Sequence, residues 1–226
     1  MAVLMNFIPL TVVDDFLESP DSWVDFANSC EYNSDEDGRW PGKRTDPLHE
    51  IDADVFAKLC IRYFSLFFDF KHSNISWNVS AYFQKIKHTA DPGWIHYDSD
   101  GDYPIILSSI VYLNRDINSG CGTSLYSPKH IHYNPDLNLD KKKQAYKGII
   151  GIDESVSYCL ENNRQYDETV RVNNKFNRLI TFDASEHHGA NLSGIDDGKE
   201  RLTLVFFVHS VSSENKFPLE RMRRCR

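Results

Sequence analysis

Two segments near the start of the chain show the hydrophobic spacing of amphipathic helices. Residues 14–29 carry apolar side chains three and four positions apart behind Asp14, a residue type that caps helices. Residues 52–70 repeat the pattern over a broader apolar face, with Asp52 or Asp54 as the cap. A charged, turn-rich stretch, residues 33–47, separates the two segments. We therefore predict two helices joined by a loop in this part of the chain.

From Trp77 onward the hydrophobic pattern changes to a period of two, which indicates β-strands. Further strand-like runs follow, separated by clusters of Asp, Asn, Gly and Pro, at residues 94–97, 105–113, 123–126, 179–182 and 202–208. Residues 135–174 have a mixed pattern, which fits either an insertion or a solvated connection. Helices followed by many short strands predict an α+β, mainly β fold, with the helices packed against a sandwich or barrel.

Length and charge narrow the class of protein. The chain has 226 residues, with 33 acidic and 25 basic side chains and a formal net charge of −8. We expect one domain, with helical support in residues 1–75, the β core in 76–210 and a tail in 211–226. An acidic chain without a basic face gives no reason to expect a nucleic-acid partner. No apolar run reaches the roughly 18 residues of a membrane span, so no membrane association is expected.

The cysteines bear on the cellular compartment. Their number is odd, at 5, and none is spaced as CxxC, so the sequence predicts neither a disulfide framework nor a zinc site. The first ten residues lack the features of a secretory leader. We therefore expect free thiols and a cytoplasmic protein.

The first candidate for chemistry is the tripeptide His96-Tyr97-Asp98 at the end of a predicted strand. Side chains two positions apart in a strand point to the same face, so this imidazole and carboxylate converge. They would supply two of the three ligands of the 2-His-1-carboxylate triad, which holds Fe(II) and leaves coordination positions open. The tripeptide alone is weak evidence, because short motifs of this kind arise by chance in an acidic chain.

A second candidate is the pair His187-His188, which follows the predicted strand 179–182 and precedes Gly189. A histidine in this position, beside a glycine that permits close approach, can close a site from across a sandwich. The side chains of adjacent residues diverge in extended backbone, so one of the two is expected to bind a metal and the other to be its neighbour.

The third candidate is Arg201, which begins an apolar strand and shares one face with Thr203, Val205 and Phe207. A guanidinium on the inner face of a sandwich is costly unless a carboxylate meets it, and its planar fork matches a carboxylate bidentately. A bound dicarboxylate would meet that need. The alternative is a surface ion pair at the edge of a sheet.

In this order, the segments resemble the Fe(II)- and 2-oxoglutarate-dependent dioxygenases, and among them the prolyl-hydroxylase-like branch. The resemblance covers roughly residues 77–209. It rests on His96-Tyr97-Asp98, Val111-Tyr112-Leu113-Asn114, Gly120-Cys121-Gly122 with the strand after it, and the segments 177–188 and 201–207. It implies a double-stranded β-helix (jelly roll, cupin-like) with N-terminal supporting helices.

The resemblance also implies a metal site. His96, Asp98 and His188 would bind Fe(II) and form the catalytic centre, with His188 preferred over His187. The implied reaction uses O2 to oxidise a C–H bond of a substrate while 2-oxoglutarate is converted to succinate and CO2.

Three further residues receive roles from the same resemblance. Arg201 would bind the C5 carboxylate of the cosubstrate 2-oxoglutarate, and Tyr112 would add a hydroxyl donor to that carboxylate. Tyr82 would contact either the cosubstrate or the substrate. Ascorbate is a further candidate cofactor of such an enzyme. The substrate itself, a small molecule or a peptidyl residue, is not identified by the sequence.

Two other interpretations compete with this one. The same sandwich could be a non-catalytic jelly-roll or cupin binding module, or a cupin-like enzyme whose metal is held by three histidines. The latter would need neither Asp98 nor Arg201. His130 and His132 have strand-like ligand spacing but no carboxylate partner in the sequence, so we interpret them as part of a surface loop.

Overall fold

The computed structural model describes residues 10–71, 74–87, 93–98, 104–129, 134, 136–192, 195 and 199–213. Within these ranges the strands are β1 (Thr11–Val13), β2 (Asn33–Ser34), β3 (Lys43–Arg44), β4 (Ile75–Lys87), β5 (Leu107–Tyr112), β6 (Thr123–Pro128), β7 (Tyr166–Val172), β8 (Leu179–Asp183), β9 (His187–Ala190) and β10 (Glu200–Ser213). The helices are α1 (Pro20–Ser29), α2 (Leu48–Ile51), α3 (Ala53–Phe64), α4 (Leu139–Tyr146) and α5 (Ile152–Asn163).

The strands form two antiparallel sheets that face each other. The larger sheet has seven strands in the order β1-β8-β5-β10-β4-β3-β2, and the smaller has three in the order β7-β6-β9. Apolar residues of both sheets meet in the space between them, namely Tyr112, Ile180 and Phe182 from the larger and Leu125 and Val172 from the smaller. The predicted α+β, mainly β class with a β-sandwich core is confirmed.

The main hydrophobic core lies on the opposite face of the larger sheet, under the N-terminal helices. Alternation along β10 sends Leu204 and Phe206 into this core and Arg201 toward the smaller sheet. Tyr63 of α3 packs on Phe206 with ring centroids 4.4 Å apart. Its hydroxyl lies 2.8 Å from Thr181 Oγ1, so a polar contact also joins the helix to the sheet.

Both predicted helices exist, with shorter bounds. The carboxylate of Asp52 accepts a hydrogen bond from the Val55 amide at 3.0 Å and caps α3, which ends at Phe64 rather than at residue 70. The other helix begins at Pro20 rather than at residue 14, so the prediction of its start was wrong. The amides of Phe16 and Leu17 donate instead to Asn177, at 3.0 and 2.8 Å, and this long-range pairing replaces the first helical turns.

The predicted loop 33–47 contains β2 and β3, which join the larger sheet through pairing of β3 with β4. Together with β1 they are three strands among residues 10–71 of the predicted helical support. The predicted strand 94–97 is reduced to a single bridge between His96 and His188. The ambiguous stretch 135–174 contains α4 and α5, which form a helical segment after β6, and β7, which belongs to the smaller sheet.

Four cysteines and five helices lie in the described ranges. No disulfide joins Cys30, Cys60, Cys121 or Cys159. None of the helices described is long and apolar enough to cross a bilayer. The segment 130–133, which holds His130 and His132, and the tail from residue 214 lie outside the described residues.

Candidate metal centre

Backbone pairing brings His96 and His188 side by side. The amide of His96 donates to the His188 carbonyl at 3.0 Å, and the amide of His188 donates to the His96 carbonyl at 2.7 Å. The segment 93–98 thereby lies along β9, and the two imidazole centroids are 4.5 Å apart. The Asp98 amide donates to the Ala184 carbonyl at 2.9 Å, which holds the carboxylate at the end of the same segment.

The three side chains converge on one point. His96 Nε2 lies 3.5 Å from Asp98 Oδ1, and His188 Nε2 lies 3.4 Å from Asp98 Oδ2. One ligand atom from each residue lies within 4.8 Å of the others. Metal–ligand bonds of about 2.1 Å at right angles separate neighbouring ligand atoms by about 3 Å. A small inward adjustment therefore lets these atoms occupy one face of a metal ion.

Contacts behind the imidazoles direct the correct nitrogens inward. His96 Nδ1 lies 2.8 Å from the Trp94 carbonyl oxygen, and His188 Nδ1 lies 3.0 Å from that of Glu186. A carbonyl only accepts, so each Nδ1 carries the proton and each Nε2 presents its lone pair to the cluster. This is the arrangement that metal-binding histidines use.

The electrostatic setting favours a neutral imidazole beside an ionised carboxylate. Burial lowers the pKa of His96 to about 4, so its ring is neutral at pH 7. Burial alone would raise the pKa of Asp98, but His188, His96 and the Ser108 hydroxyl outweigh it and hold that pKa well below its usual range. The Ser108 hydroxyl donates to Asp98 Oδ2 at 2.5 Å. The donor set fits the 2-His-1-carboxylate site of Fe(II) enzymes.

His187 lies apart from this cluster. Its ring packs against Tyr97 and Tyr166, with centroids 5.3 and 5.0 Å away. The ring of His188 packs against Phe182 at 4.8 Å, between the sheets. The structure thus brings His188 together with His96 and Asp98, and places its neighbour on the other side of the strand.

Arg201 is buried between the sheets, with 3% of its surface exposed. Its Nε donates to the Cys121 carbonyl at 3.3 Å, and its Nη2 donates to the Gly122 carbonyl at 3.3 Å and to Thr123 Oγ1 at 3.2 Å. Within the described residues no carboxylate forms an ion pair with it. Burial lowers the pKa of Arg201, since only neutral acceptors compensate its charge. An anionic ligand would relieve this cost.

The two tyrosines predicted from the sequence occupy different places. Tyr112 is fully buried beside Arg201, whose guanidinium carbon lies 5.4 Å from its ring centre. Its hydroxyl donates to Thr123 Oγ1 at 3.0 Å, the same oxygen that Arg201 contacts. Tyr82 pairs with Val205 of β10, and its ring lies 6.5 Å from that of Phe207. Tyr112 therefore adjoins Arg201, and the role of Tyr82 as a cosubstrate or substrate contact stays a prediction.

Gly122 is required where β6 begins. A Cβ at this position would collide with the Val172 carbonyl oxygen of the neighbouring strand β7. The glycine allows the two strands to pair there, and its own carbonyl then accepts from Arg201. The turn residues quoted for the family resemblance thus hold the arginine in place.

A cavity of about 80 Å³ between the sheets connects the metal cluster to Arg201. Its walls include all three members of the cluster and, from the surrounding strands, Gln84, Ser108, Thr123, Phe182, Val205 and Phe207. A wider cleft of about 690 Å³ adjoins it and shares Pro41 and Ile86 with its wall. Arg44 is a further residue of the cavity wall. The sequence did not predict Arg44, Ser108 or Thr123, because nothing in their local pattern distinguishes them from ordinary strand residues.

Comparison with known families gives a classification without an activity. The chain belongs to a family of unknown function, DUF6445, whose model matches residues 2–208. A comparison of the sequence with curated proteins finds no match.

Several solved structures share the architecture. HygX from Streptomyces hygroscopicus, with nickel and 2-oxoglutarate bound, is similar with a TM-score of 0.52 and 15% identity, over 88% of this chain and 82% of that one. The epimerase SnoN, in complex with Fe3+, alpha-ketoglutarate and nogalamycin RO, gives 0.51 and 14%, over 90% and 80%. A Pseudomonas putida prolyl-4-hydroxylase gives 0.44 and 15%, over 88% and 91%.

At these identities the likeness concerns the fold. It confirms the predicted jelly roll. It does not single out the prolyl-hydroxylase-like branch, because an epimerase matches at a comparable level. That branch stays a prediction.

Proposed function

We propose that this chain is an oxidoreductase, an Fe(II)- and 2-oxoglutarate-dependent oxygenase that hydroxylates a C–H bond of a further substrate. One observation carries the proposal. A cluster of two histidines and a carboxylate, His96, Asp98 and His188, lies across a small cavity from Arg201, a buried cation without a carboxylate partner among the described residues. The shared fold supports it, since neighbours of this architecture bind a metal and 2-oxoglutarate.

The residues of this chain would divide the work between binding and orientation. The two Nε2 atoms and the carboxylate would hold one face of the ion, which leaves its other positions accessible. Bound Fe(II) would supply the electron transfer and Lewis acidity that couple decarboxylation of 2-oxoglutarate by O2 to substrate oxidation.

Arg201 would anchor the far carboxylate of the cosubstrate through its planar fork. Tyr112 and Thr123 would fix the plane of that guanidinium, because the Thr123 hydroxyl meets both. Apolar side chains that line the cavity, among them Phe182 and Val205, would keep water away from the reacting atoms.

The decisive experiment adds Fe(II) and 2-oxoglutarate under anaerobic conditions and records the visible charge-transfer band of the chelate. We expect the band with the unchanged chain and with His187→Ala, which removes a neighbouring imidazole outside the cluster. His188→Ala should abolish it. Arg201→Gln should weaken 2-oxoglutarate binding by about 100-fold or more, because a buried charge then loses its partner.

The proposal would be wrong if His188→Ala and Asp98→Ala retained the band. A band without succinate release in air, for any substrate offered, would instead indicate a binding module with an intact metal site.

A further inference from the structure

A second arginine, Arg44, lines the cavity that holds the metal cluster. It lies on the short strand β3, where it pairs with Gln84 of β4. Gly42 makes this approach possible: its φ is 72°, and a Cβ there would collide with the Lys85 carbonyl oxygen. The β2–β3 hairpin therefore packs closely on β4, and Arg44 lies on the cavity wall.

Three aromatic rings surround the Arg44 guanidinium. Its central carbon lies 4.7 Å from the ring centre of Trp40, 5.3 Å from that of Phe207 and 5.7 Å from that of Tyr82. Phe207 pairs with Ser108, the residue that binds Asp98. The charged group thus lies near the metal cluster, whereas Arg201 lies six residues before Phe207 on β10, beside Gly122 and Thr123.

Two buried N–H donors on this segment lack hydrogen-bond partners among the described residues. They are Arg44 Nε and Trp40 Nε1. The remaining contact of the guanidinium is weak, from its Nη2 to Gln84 Oε1 at 3.4 Å. Buried donors without acceptors are costly, and two adjacent ones of this kind call for an external acceptor.

The charges of the proposed holoenzyme leave Arg44 uncompensated. Asp98 exerts the largest acidic influence on Arg44 and Asp35 a smaller one, but the metal ion would claim Asp98 and Arg39 pairs with Asp35. The charges of a divalent ion, Asp98, Arg201 and dianionic 2-oxoglutarate then cancel. Burial lowers the pKa of Arg44 to about 10, so it still carries a full positive charge at pH 7. One further negative charge is needed beside it.

We propose that the primary substrate is a small-molecule carboxylic acid whose carboxylate binds Arg44 and the Trp40 indole N–H. This inference rests on the proposed function and names its substrate class. The adjoining cleft of about 690 Å³ has the size of a small-molecule site, and it shares Pro41 and Ile86 with the cavity that contains Arg44 and the metal cluster. The carboxylate would hold the substrate beside the metal cluster, with the rest of the molecule in the adjoining cleft.

The test uses acetate as the probe and acetamide as its neutral counterpart. The full chain is loaded with Zn(II), a diamagnetic stand-in for iron, and with saturating 2-oxoglutarate, which keeps acetate away from Arg201. The indole N–H signals of the four tryptophans are then followed by NMR, and Trp40→Phe identifies the signal of Trp40. We expect acetate, but not acetamide, to shift that signal saturably.

Arg44→Gln should weaken the acetate response by about 30-fold or more, as expected when one partner of a buried charge pair is removed. Arg39→Gln is the matched control: Arg39 also stacks on Trp40, at 5.0 Å, but its side chain is 62% exposed and pairs with Asp35. It should leave the response unchanged. If the glutamine variant does not fold, Arg44→Lys should retain a weakened response.

The possible outcomes separate a failure of this inference from a failure of the proposed function. An unchanged acetate response in Arg44→Gln, or none in the original chain, would overturn the inference. Loss of the Fe(II)–2-oxoglutarate band in Arg44→Gln would show that Arg44 holds the cosubstrate instead, and would also overturn it. A normal acetate response without any such band in the original chain would remove the proposed function but keep the anion site.

Discussion

At the scale of single residues, the metal cluster depends on groups that touch its ligands from behind. Backbone carbonyls orient the imidazoles of His96 and His188, and a hydroxyl holds the carboxylate of Asp98. Spacing predicted that His96 and Asp98 share one face. No local pattern predicted Ser108, because its contact depends on how β5 lies against the segment 93–98.

Ser108→Ala should weaken Fe(II) or Zn(II) binding by about tenfold, since the carboxylate loses the hydroxyl that holds it and outer contacts of this kind are worth 10–100-fold. Metal affinity by competition with a chelating dye measures the change. Ser109→Ala is the matched control, because the Ser109 hydroxyl contacts Tyr63 and Thr181 instead. It should lower the free energy of unfolding by about 1 kcal/mol. Equal metal affinities in all three proteins would contradict the role of Ser108.

At the scale of elements, the entry to α1 shows how a distant residue overrides local helical spacing. Asn177 has a φ of 63° and is 3% exposed. Its side chain accepts from the Leu17 amide at 2.8 Å and donates to the Leu17 carbonyl at 2.9 Å. The apolar residues Phe16 and Leu17 are buried by this attachment rather than by a helix. Apolar spacing predicted their burial correctly and their conformation wrongly.

The same segment is fastened by Asp14, which accepts from Arg178 Nε at 2.6 Å and from Lys175 Nζ at 2.8 Å. The hydrogen bonds from Arg178 and Lys175 hold the pKa of Asp14 well below its ordinary value of 3.8. A lowered carboxyl pKa contributes stability above the unfolded pKa, and that contribution is lost as the pH falls through the folded pKa.

Asp14→Asn should therefore lower the free energy of unfolding by about 1 kcal/mol or less near pH 7, because the pair is partly exposed and screened by solvent. The difference between the two proteins should shrink as the pH falls below about 4. Urea unfolding of both at pH 7 and at successively lower pH measures this. A difference that grows on acidification would contradict the assignment.

At the scale of the whole molecule, the candidate site joins parts of the fold that are distant in sequence. His188 belongs to the smaller sheet through β9, whereas Asp98 is held by Ser108 of the larger sheet. A metal ion bound by both residues would connect the two sheets. The unfolded chain would lack this binding site. Metal binding should therefore stabilise the entire domain.

Zn(II) at 100 times its dissociation constant should add about 2.7 kcal/mol, which corresponds to a rise in Tm of roughly 5–10 °C for a chain of this size. Calorimetry with and without the ion measures the shift, and a chelator should reverse it. His187→Ala should retain the rise and His188→Ala should lose it. A rise that persists in His188→Ala would mean that the ion binds elsewhere.

The sequence by itself determined the class of fold and placed His96 and Asp98 together as candidate ligands. Burial of alternating side chains dictates strands from residue 77 onward, and i, i+2 spacing dictates that His96 and Asp98 face one side. Alternation placed Arg201 on one face of an apolar strand, and the resemblance to the dioxygenases implied that this face is the inner one.

Only the tertiary structure decided which histidine joins the cluster, what supports it and what else enters the cavity. His188 rather than His187 is selected by the pairing of β9 with β6 and with the segment 93–98. Arg44 reaches the cavity because a two-residue strand pairs with β4, 40 positions away. Such contacts are fixed by register between strands that are remote in the chain, and a register has no signature in the local order of polar and apolar residues.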